Sequence, residues 1–383
     1  MRFIDESHHG VTTKLAKDIL KFYGKNSFTI QITATYSKPT KDFDIPKKNW
    51  ILWDLEDVNI CKKISDKEKR LRLIEKHGEI INDFLSGYSD EEIMKEYSKY
   101  PELFLLTRSI NEETIDSIIR ETQETDYGYS LKSLFLLKQN TVEYIEEFQN
   151  EEEILKMWYT IFGKKNKRGI PDSEYPDKDV FMKKAEDIFR NPEFLTNNND
   201  PMVVMAFLPQ NNIEKISKAT MSLLKKNNVI PEYEIVCINS VEKGDPKSRI
   251  EDTVNQAINS GKKKVLVLSG KQCSLGVTIK QCDIVLLLNN SNSFDMIYQM
   301  MFRCMTERKD KKSGIVVDLN IQRCLEVVVS EYASLLNPEL HPKESIQYLL
   351  KERIINLNGN DWISSFGKCE QRLQDLCNCV YNY

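Results

Sequence analysis

The segment Met202-Val203-Val204-Met205-Ala206-Phe207-Leu208 is apolar at every position. Four more strand-like runs follow it, at 233–239, 265–268, 284–288 and 314–319. Three stretches with helical periodicity lie between the runs, at 213–226, 250–260 and 293–305. Strands that are apolar throughout, and not only at alternate positions, are covered on both faces. The pattern therefore predicts a parallel sheet flanked by helices over residues 197–340.

A shorter α/β pattern occupies residues 1–60. It consists of three strand-like segments and one helix-like segment, at 1–4, 12–23, 28–32 and 50–53. Strand, helix and strand at these lengths are typical of a parallel α/β unit. Two other regions contain mainly helical periodicity. Residues 61–196 predict an all-α insertion, and residues 341–383 predict a C-terminal helical extension.

The composition limits the classes of protein to which the chain can belong. The 383 residues include 54 Lys and Arg and 58 Asp and Glu, which leaves a net charge of −4. This excludes a globally basic, histone-like binder but leaves room for a local basic groove. No apolar run approaches the roughly 18 residues that a membrane span needs, so we expect no membrane association of that kind.

The nine cysteines are odd in number and lie mostly inside apolar stretches. They predict reduced thiols in an intracellular, reducing compartment. Cys369, Cys377 and Cys379 leave a zinc site open, although paired C-x-x-C spacing is missing. The first residues do not resemble a signal peptide. The abundance of Asn, Ile and Lys is typical of an AT-rich genome, such as that of a large DNA virus, for which the compartment would be the host cytoplasm or the virion.

The sequence Asp5-Glu6-Ser7-His8 follows the first predicted strand directly. Ligands of open α/β sheets bind at the carboxyl ends of the strands. One carboxylate there can hold Mg²⁺ through water, and a second can orient the water that attacks a γ-phosphate. A charged turn is the alternative interpretation. The next strand ends in Thr33-Ala34-Thr35, whose hydroxyl groups can bond back to the acidic and histidine side chains or simply form a turn.

Together these two segments resemble the D-E-x-H and S/T-A-T boxes of superfamily 2 helicases of the DExH type. The second α/β region is similar to later boxes of that family, in the same order. Residues 205–209 resemble motif IV, and Ser269 followed by the loop to Gly276 resembles motif V. Gln299 and Arg303, four residues apart and so expected on one helix face, resemble the start of Q-x-x-G-R-x-x-R.

The resemblance implies a role for each matching residue. Asp5 would hold Mg²⁺ and contribute to the nucleotide site with Gly276, and Glu6 would activate water. Gln299 and Arg303 would act on the γ-phosphate from the second lobe, Arg303 as an arginine finger. Four further residues would couple the ATP state to the grip on single-stranded or duplex nucleic acid: His8, Thr33, Thr35 and Ser269.

The sequence departs from the family at several positions. Thr306 stands where a second arginine is expected, Phe302 replaces a glycine, and Thr278 replaces an aspartate; Arg308 lies nearby but out of register. No G-x-x-x-x-G-K-[ST] loop is present, and the family places that loop before the D-E-x-H box. We therefore expect ATP and Mg²⁺ to bind only together with a second polypeptide that supplies this half.

These patterns lead to one preferred architecture and several functions. We expect an incomplete first RecA-like lobe at 1–60, the helical insertion at 61–196, a complete second RecA-like lobe at 197–340 and the extension at 341–383. The preferred function is that of the C-terminal portion of a nucleic-acid-dependent ATPase or helicase, inactive alone. A non-catalytic nucleic-acid-binding or partner-docking remnant, and a restriction-type duplex translocase subunit, are the alternatives.

Overall fold

The computed structural model describes most of the chain. The described residues are 2–4, 28–33, 46, 49–107, 131–138, 146–164, 178–190, 200–239, 244–274, 279, 281–308, 311–320, 323–337 and 340–357. Within these ranges no helix is both long enough and apolar enough to cross a membrane.

Seven strands form one sheet in which every neighbouring pair is parallel. They are β3 (Glu102–Leu106), β4 (Met202–Phe207), β5 (Tyr233–Ile238), β6 (Lys264–Ser269), β7 (Cys282–Leu287), β8 (Ser313–Val317) and β9 (Asn356–Leu357). Their spatial order is β5-β6-β4-β7-β8-β3-β9. Two further strands, β1 (Arg2–Ile4) and β2 (Thr29–Gln31), pair with each other in parallel.

Twelve α-helices are described. Before the central strands lie α1 (Leu55–Cys61), α2 (Lys67–His77), α3 (Glu79–Ser86), α4 (Asp90–Tyr97), α5 (Leu131–Leu134), α6 (Glu151–Ile161) and α7 (Lys178–Arg190). The later helices are α8 (Ile213–Lys226), α9 (Pro246–Asn259), α10 (Phe294–Met301), α11 (Tyr332–Leu336) and α12 (Pro342–Lys351). A 3₁₀ turn, Phe302–Met305, continues α10, and a π-helical segment, Cys324–Glu331, leads into α11.

The sheet is buried on both faces, which explains why its strands are continuously apolar. Along β4, Val203, Met205 and Phe207 belong to one core together with side chains of α9, α10 and α12. The alternate residues Val204 and Ala206 belong to a second core together with α6 and α8. Because both sides of a strand are covered in this way, neither side selects polar residues. The prediction of a parallel sheet flanked by helices is confirmed.

Two regions predicted to be helical contribute strands to this sheet. Strand β3 lies inside the segment predicted as all-α, and β9 lies inside the predicted C-terminal extension. The apolar run Leu103-Phe104-Leu105-Leu106 is only four residues long, and runs of that length do not distinguish a strand from a turn of buried helix. Residues 50–53, predicted as a strand, form no regular element.

Unlike the large sheet, the β1–β2 pair has apolar side chains that are exposed. Phe3, Phe28 and Ile32 are all exposed large apolar residues. Parallel strands normally lie in sheets with both faces covered, and a two-stranded sheet is marginal on its own. An incomplete first lobe would leave such residues uncovered, and that interpretation stays a prediction.

The described cysteines are free thiols. All six of them are buried: Cys61, Cys237, Cys273, Cys282, Cys304 and Cys324. Cys369, Cys377 and Cys379, for which a zinc site was left open, lie outside the described residues.

Candidate functional site

Polar residues collect where the strands of the large sheet end. Thr107 follows β3, Asn239 follows β5, Ser269 ends β6, Asn289 comes shortly after β7 and Asp318 follows β8; all five are buried. The carboxyl ends of parallel strands share one edge, where α/β proteins bind their ligands. Buried polar groups at such an edge are either hydrogen-bonded for structure or available for chemistry. This edge, with the helices that start there, is the candidate site.

Ser269 opens the loop predicted to approach a phosphate or ribose. Its hydroxyl donates a hydrogen bond to the Gly270 carbonyl at 3.3 Å. A Cβ on Gly270 would lie 2.8 Å from the Ile213 side chain, so the first residue of α8 packs closely against this loop. Burial raises the pKa of the nearby Cys273 thiol, while a hydrogen bond with Ser269 and the charge of Arg303 act to lower it. Ser269, Cys273 and Arg303 therefore occupy one neighbourhood.

Gln299 and Arg303 are both half-buried, but they belong to different local geometries. Gln299 lies in the last turn of α10, and Arg303 lies in the 3₁₀ turn that follows. The Thr306 hydroxyl donates to the Arg303 carbonyl at 3.3 Å. A 3₁₀ turn has about 3.0 residues per turn, against about 3.6 in an α-helix, so each residue rotates further about the axis. The side chains of Gln299 and Arg303 are therefore separated by a larger angle than two residues four apart on one α-helix.

Arg323 was not identified from the sequence, although it braces the candidate edge. Its Nε and Nη2 donate to the two carboxylate oxygens of Asp318 at 2.7 and 2.8 Å. The remaining N–H groups donate to the carbonyls of Leu287 at 3.0 Å, Ser291 at 3.1 Å and Asn289. The guanidinium has five donors, and all are used. Burial alone would lower the pKa of Arg323, but the Asp318 carboxylate outweighs this and the pKa is raised.

This buried pair ties the ends of two adjacent strands together, because Asp318 follows β8 and the carbonyls follow β7. Its sequence signal is weak: Asp318 and Arg323 stand five residues apart, a spacing that matches neither a helix face nor a known motif. Arg308, which stands near the expected second finger arginine, is also engaged. Its Nη2 donates to Asp283 Oδ1 at 2.9 Å. Asp283 lies near the amino end of β7, away from the candidate edge.

A second group of titratable residues joins α1 and α2. Lys76 Nζ lies 3.2 Å from Asp54 Oδ2, 3.1 Å from Glu56 Oε2 and 3.0 Å from Asp57 Oδ2. His77 Nε2 lies 2.8 Å from the other oxygen of Asp57. Burial raises the pKa of Asp54 to about 6, and Asp57 and Glu56 add to this while Lys76 opposes it. We call Asp54, Glu56, Asp57, Lys76 and His77 the Lys76 cluster.

The Lys76 cluster also reaches the C-terminal helices. The Tyr348 hydroxyl of α12 donates to Glu56, and Arg72 contacts Glu56 at 3.2 Å and the Asn337 side chain at 2.6 Å. Each carboxylate of the cluster already has a cationic or hydrogen-bonding partner. In the described part of the chain no group of three His, Cys, Asp or Glu residues is suited to hold a metal ion. The cluster and Arg72 thus have a structural role: they hold α1 and α2 against Asn337 and α12, near the C-terminal end of the described residues.

Several predicted site residues lie outside the described residues: Asp5, Glu6, His8, Thr35 and Gly276. Thr33 is described and half-buried; it follows β2, where the Ile32 amide donates to the Ile4 carbonyl at 2.8 Å. The proposed assembly of these residues with Gln299 and Arg303 around one nucleotide remains a prediction.

No protein-family model and no curated protein matches this sequence. Among solved structures, the chain is similar to the ATP-dependent Type ISP restriction-modification enzyme LlaBIII bound to DNA, at 12% identity and a TM-score of 0.42, over 98% of this chain and 22% of that one. It is also similar to the C-terminal part of the Fun30 ATPase domain, at 12% identity and a TM-score of 0.26, over 69% and 78% of the two chains. The chain thus spans about a fifth of LlaBIII. At identities and TM-scores this low, the comparisons do not carry a functional interpretation, which must depend on the sheet topology and the sequence motifs.

Proposed function

We propose that this chain is the C-terminal portion of a nucleic-acid-dependent ATPase motor of superfamily 2. The observation that carries the proposal is the all-parallel sheet in which the strands of the resembled boxes, β4, β6 and β7, are neighbours in the order β6-β4-β7. Ser269 ends the strand that resembles motif V, and Arg303 follows the helix that resembles motif VI. At the same edge of the sheet, the buried Arg323–Asp318 pair holds the ends of β7 and β8 together.

In this proposal the second lobe provides the positive charge that faces the γ-phosphate, and the first lobe orients the attacking water. Arg303 would neutralise negative charge on the γ-phosphate as it develops, with Gln299 positioning the same group. Glu6 would orient the attacking water, and Gly276 would allow the backbone close to the nucleotide. When bound with ATP, Mg²⁺ held by Asp5 would offset the charge of the phosphates.

The nucleic acid would be gripped mainly through its phosphates. His8, Thr33, Thr35 and Ser269 would link the nucleotide state to that grip. Contacts of this kind tolerate many sequences and weaken with salt, because bound counterions are released on association. The net charge of −4 means that the grip must come from a local basic surface.

The Walker A loop would come from a second polypeptide. Such a partner would add the missing strands beside β1 and β2 and cover Phe3, Phe28 and Ile32, which are exposed in this chain. We therefore expect negligible ATPase activity from this chain alone, since nothing in it cradles the β- and γ-phosphates.

The test is to look for an adjacent open reading frame that encodes G-x-x-x-x-G-K-[ST], to mix its purified product with this chain, and to measure ATP hydrolysis with and without nucleic acid. We expect activity only in the mixture, stimulated by nucleic acid. Arg303→Ala in the mixture should lower kcat by about 10³-fold or more, since finger arginines contribute that much. Arg190→Ala, an exposed arginine on α7, is the matched control and should leave the rate unchanged.

The same preparations distinguish the alternatives. Ordinary ATPase rates from the chain alone would contradict the split-motor proposal. Salt-sensitive nucleic-acid binding without ATPase in any mixture would identify a non-catalytic remnant. ATP-driven movement on duplex DNA without strand displacement would identify a translocase.

A further inference from the structure

Helix α3 carries apolar side chains on two sides. Ile81 and Leu85 pack into the small core shared by α1, α2 and α4. Ile80 and Phe84 face outward and expose 83% and 50% of their surface, and Tyr88, just beyond the helix, exposes 53%. The rings of Phe84 and Tyr88 are in contact, with centroids 5.3 Å apart. We call Ile80, Phe84 and Tyr88 the α3 stripe.

The spacing of the α3 stripe suits a helical partner. Its members are four residues apart, so they lie above one another along one side of the chain. Single exposed apolar residues are ordinary, whereas adjoining aromatic and branched side chains mark interaction surfaces. A surface of this shape, about two helical turns long, fits the apolar side of an amphipathic helix laid against it.

Exposed acidic residues surround the stripe. Within residues 75–92, five carboxylate side chains are exposed: Glu75, Glu79, Asp83, Glu91 and Glu92. A sixth, Asp90, is half-buried and paired with Arg70 of α2. The one lysine of this stretch is Lys76. That lysine is held inside the Lys76 cluster. Glu79 and Asp83 immediately precede Ile80 and Phe84, so on a helix they border the stripe. The surface is therefore apolar at its centre and negative at its rim.

This charge pattern indicates which kind of partner can bind the α3 stripe. Nucleic acid and anionic membranes would meet a surface of their own sign. A second copy of the chain, related by a two-fold axis, would set the acidic rim against itself. A helix with apolar residues on one side and Lys or Arg on the other matches both the centre and the rim. We propose that the α3 stripe and its acidic rim are a docking site for a basic amphipathic helix of a partner protein.

This proposal is independent of the motor function, because none of the residues resembling helicase boxes takes part in it. The probe is a fluorescein-labelled, 18-residue synthetic helix of leucine and lysine, with the leucines on one side. Its binding to the full chain is followed by fluorescence anisotropy. Two control peptides are a scrambled sequence of the same composition and a version with glutamate in place of lysine.

We expect the leucine–lysine helix to bind the full chain and both control peptides to bind at least tenfold more weakly. Phe84→Ser and Ile80→Ser should each weaken binding at least tenfold, because each removes apolar contact at the centre. These side chains are exposed, so circular dichroism should show an unchanged fold. Leu71→Ser is the matched control: Leu71 is an exposed apolar residue on α2, and its loss should change binding less than twofold.

The charge of the rim is tested separately. The double variant Glu79→Lys, Asp83→Lys should weaken binding at least tenfold, whereas Glu251→Lys on α9 should change it less than twofold. Equal binding of the scrambled or glutamate peptide, or wild-type binding by Phe84→Ser, would overturn the proposal. Sedimentation that shows a dimer lost in Phe84→Ser would also overturn it, since the occupant would then be a second copy.

Discussion

Arg323 is the residue on which the candidate edge depends most directly. A buried guanidinium is tolerated because every N–H group has an acceptor and its charge is matched by Asp318. The five contacts reach residues that follow two different strands, so one side chain fixes the separation of both strand ends. The geometry of the candidate edge at β7 and β8 thus depends on this one side chain.

Replacing Arg323 should destabilise the protein strongly. Arg323→Met removes five hydrogen bonds and leaves Asp318 buried without its partner, which typically costs about 3–5 kcal/mol in the free energy of unfolding. Urea unfolding followed by circular dichroism measures this. Adding Asp318→Asn should recover part of the loss, because no buried charge then remains. A single variant as stable as Arg190→Ala would show that the pair contributes nothing.

Asp54 should make stability depend on pH. Its folded-state pKa of about 6 lies above the ordinary value of 3.8, so the folded chain holds this proton more tightly than the unfolded chain. The stability contributed by this group is complete below pH 3.8 and is lost as the pH rises through about 6. The loss is on the order of 3 kcal/mol, at about 1.4 kcal/mol per pKa unit.

The substitution Asp54→Asn removes this dependence and keeps an oxygen to accept the Glu56 amide, which Asp54 caps at 2.8 Å. Relative to the natural chain, the variant should therefore gain stability between pH 4 and 7. Urea midpoints measured across that range provide the test. The lowered pKa of Asp57 acts in the opposite direction but below pH 3.8, outside this window. A constant difference between the two proteins from pH 4 to 7 would contradict the assignment.

At the scale of elements, the segment after α10 shows how tightly the layers meet. The 3₁₀ turn lies against β8 at Gly314, where an added Cβ would stand 2.3 Å from the Cys304 carbonyl oxygen. Only a glycine allows this approach, because the neighbour is backbone. The position of Arg303, one residue before Cys304, is therefore set by the contact between a turn and a strand.

We expect Gly314→Ala to destabilise the protein by about 1–3 kcal/mol, as overpacking against a fixed neighbour does. In the reconstituted motor it should also lower kcat, because the turn that holds Arg303 must move. Gly87→Ala is the matched control, since its Cβ would make only an ordinary 3.4 Å contact. Thermal unfolding and ATPase rates measure the two effects. An unchanged melting temperature for Gly314→Ala would show that the layers are looser than described.

The same elements show what the sequence could predict. The helix predicted at 213–226 has those bounds in the structure, because its apolar face repeats over fourteen residues between clear breaks. Strand β3 could not be recognised, since four apolar residues after a helical region match either element and only its pairing with β8 decides. The Lys76 cluster and the Arg323 brace were missed for a related reason: their members meet through tertiary packing and carry no periodic signal.

At the scale of the whole molecule, the sheet joins distant parts of the chain. Strand β3 lies between β8 and β9, and Tyr348 of α12 bonds to Glu56 of α1. Residues of the predicted insertion and of the predicted extension thus pack on the same sheet as the predicted second lobe. Because these residues share one sheet and its cores, we expect the chain from α1 to β9 to unfold as one cooperative unit.

Two tryptophans can test this cooperativity. Trp53 contacts the ring of His77, a member of the Lys76 cluster, with centroids 5.3 Å apart, and Trp158 is fully buried in the second core. In a variant that retains only Trp53, and in one that retains only Trp158, we expect the fluorescence transition in urea to coincide with the circular-dichroism transition of the same variant, because both signals report on one unit. If α1 and α2 belonged to an independent domain, the Trp53 transition would occur separately. Leu349→Ala sharpens the comparison: this fully buried residue of α12 should lower both midpoints together, whereas two domains would allow one to fall alone.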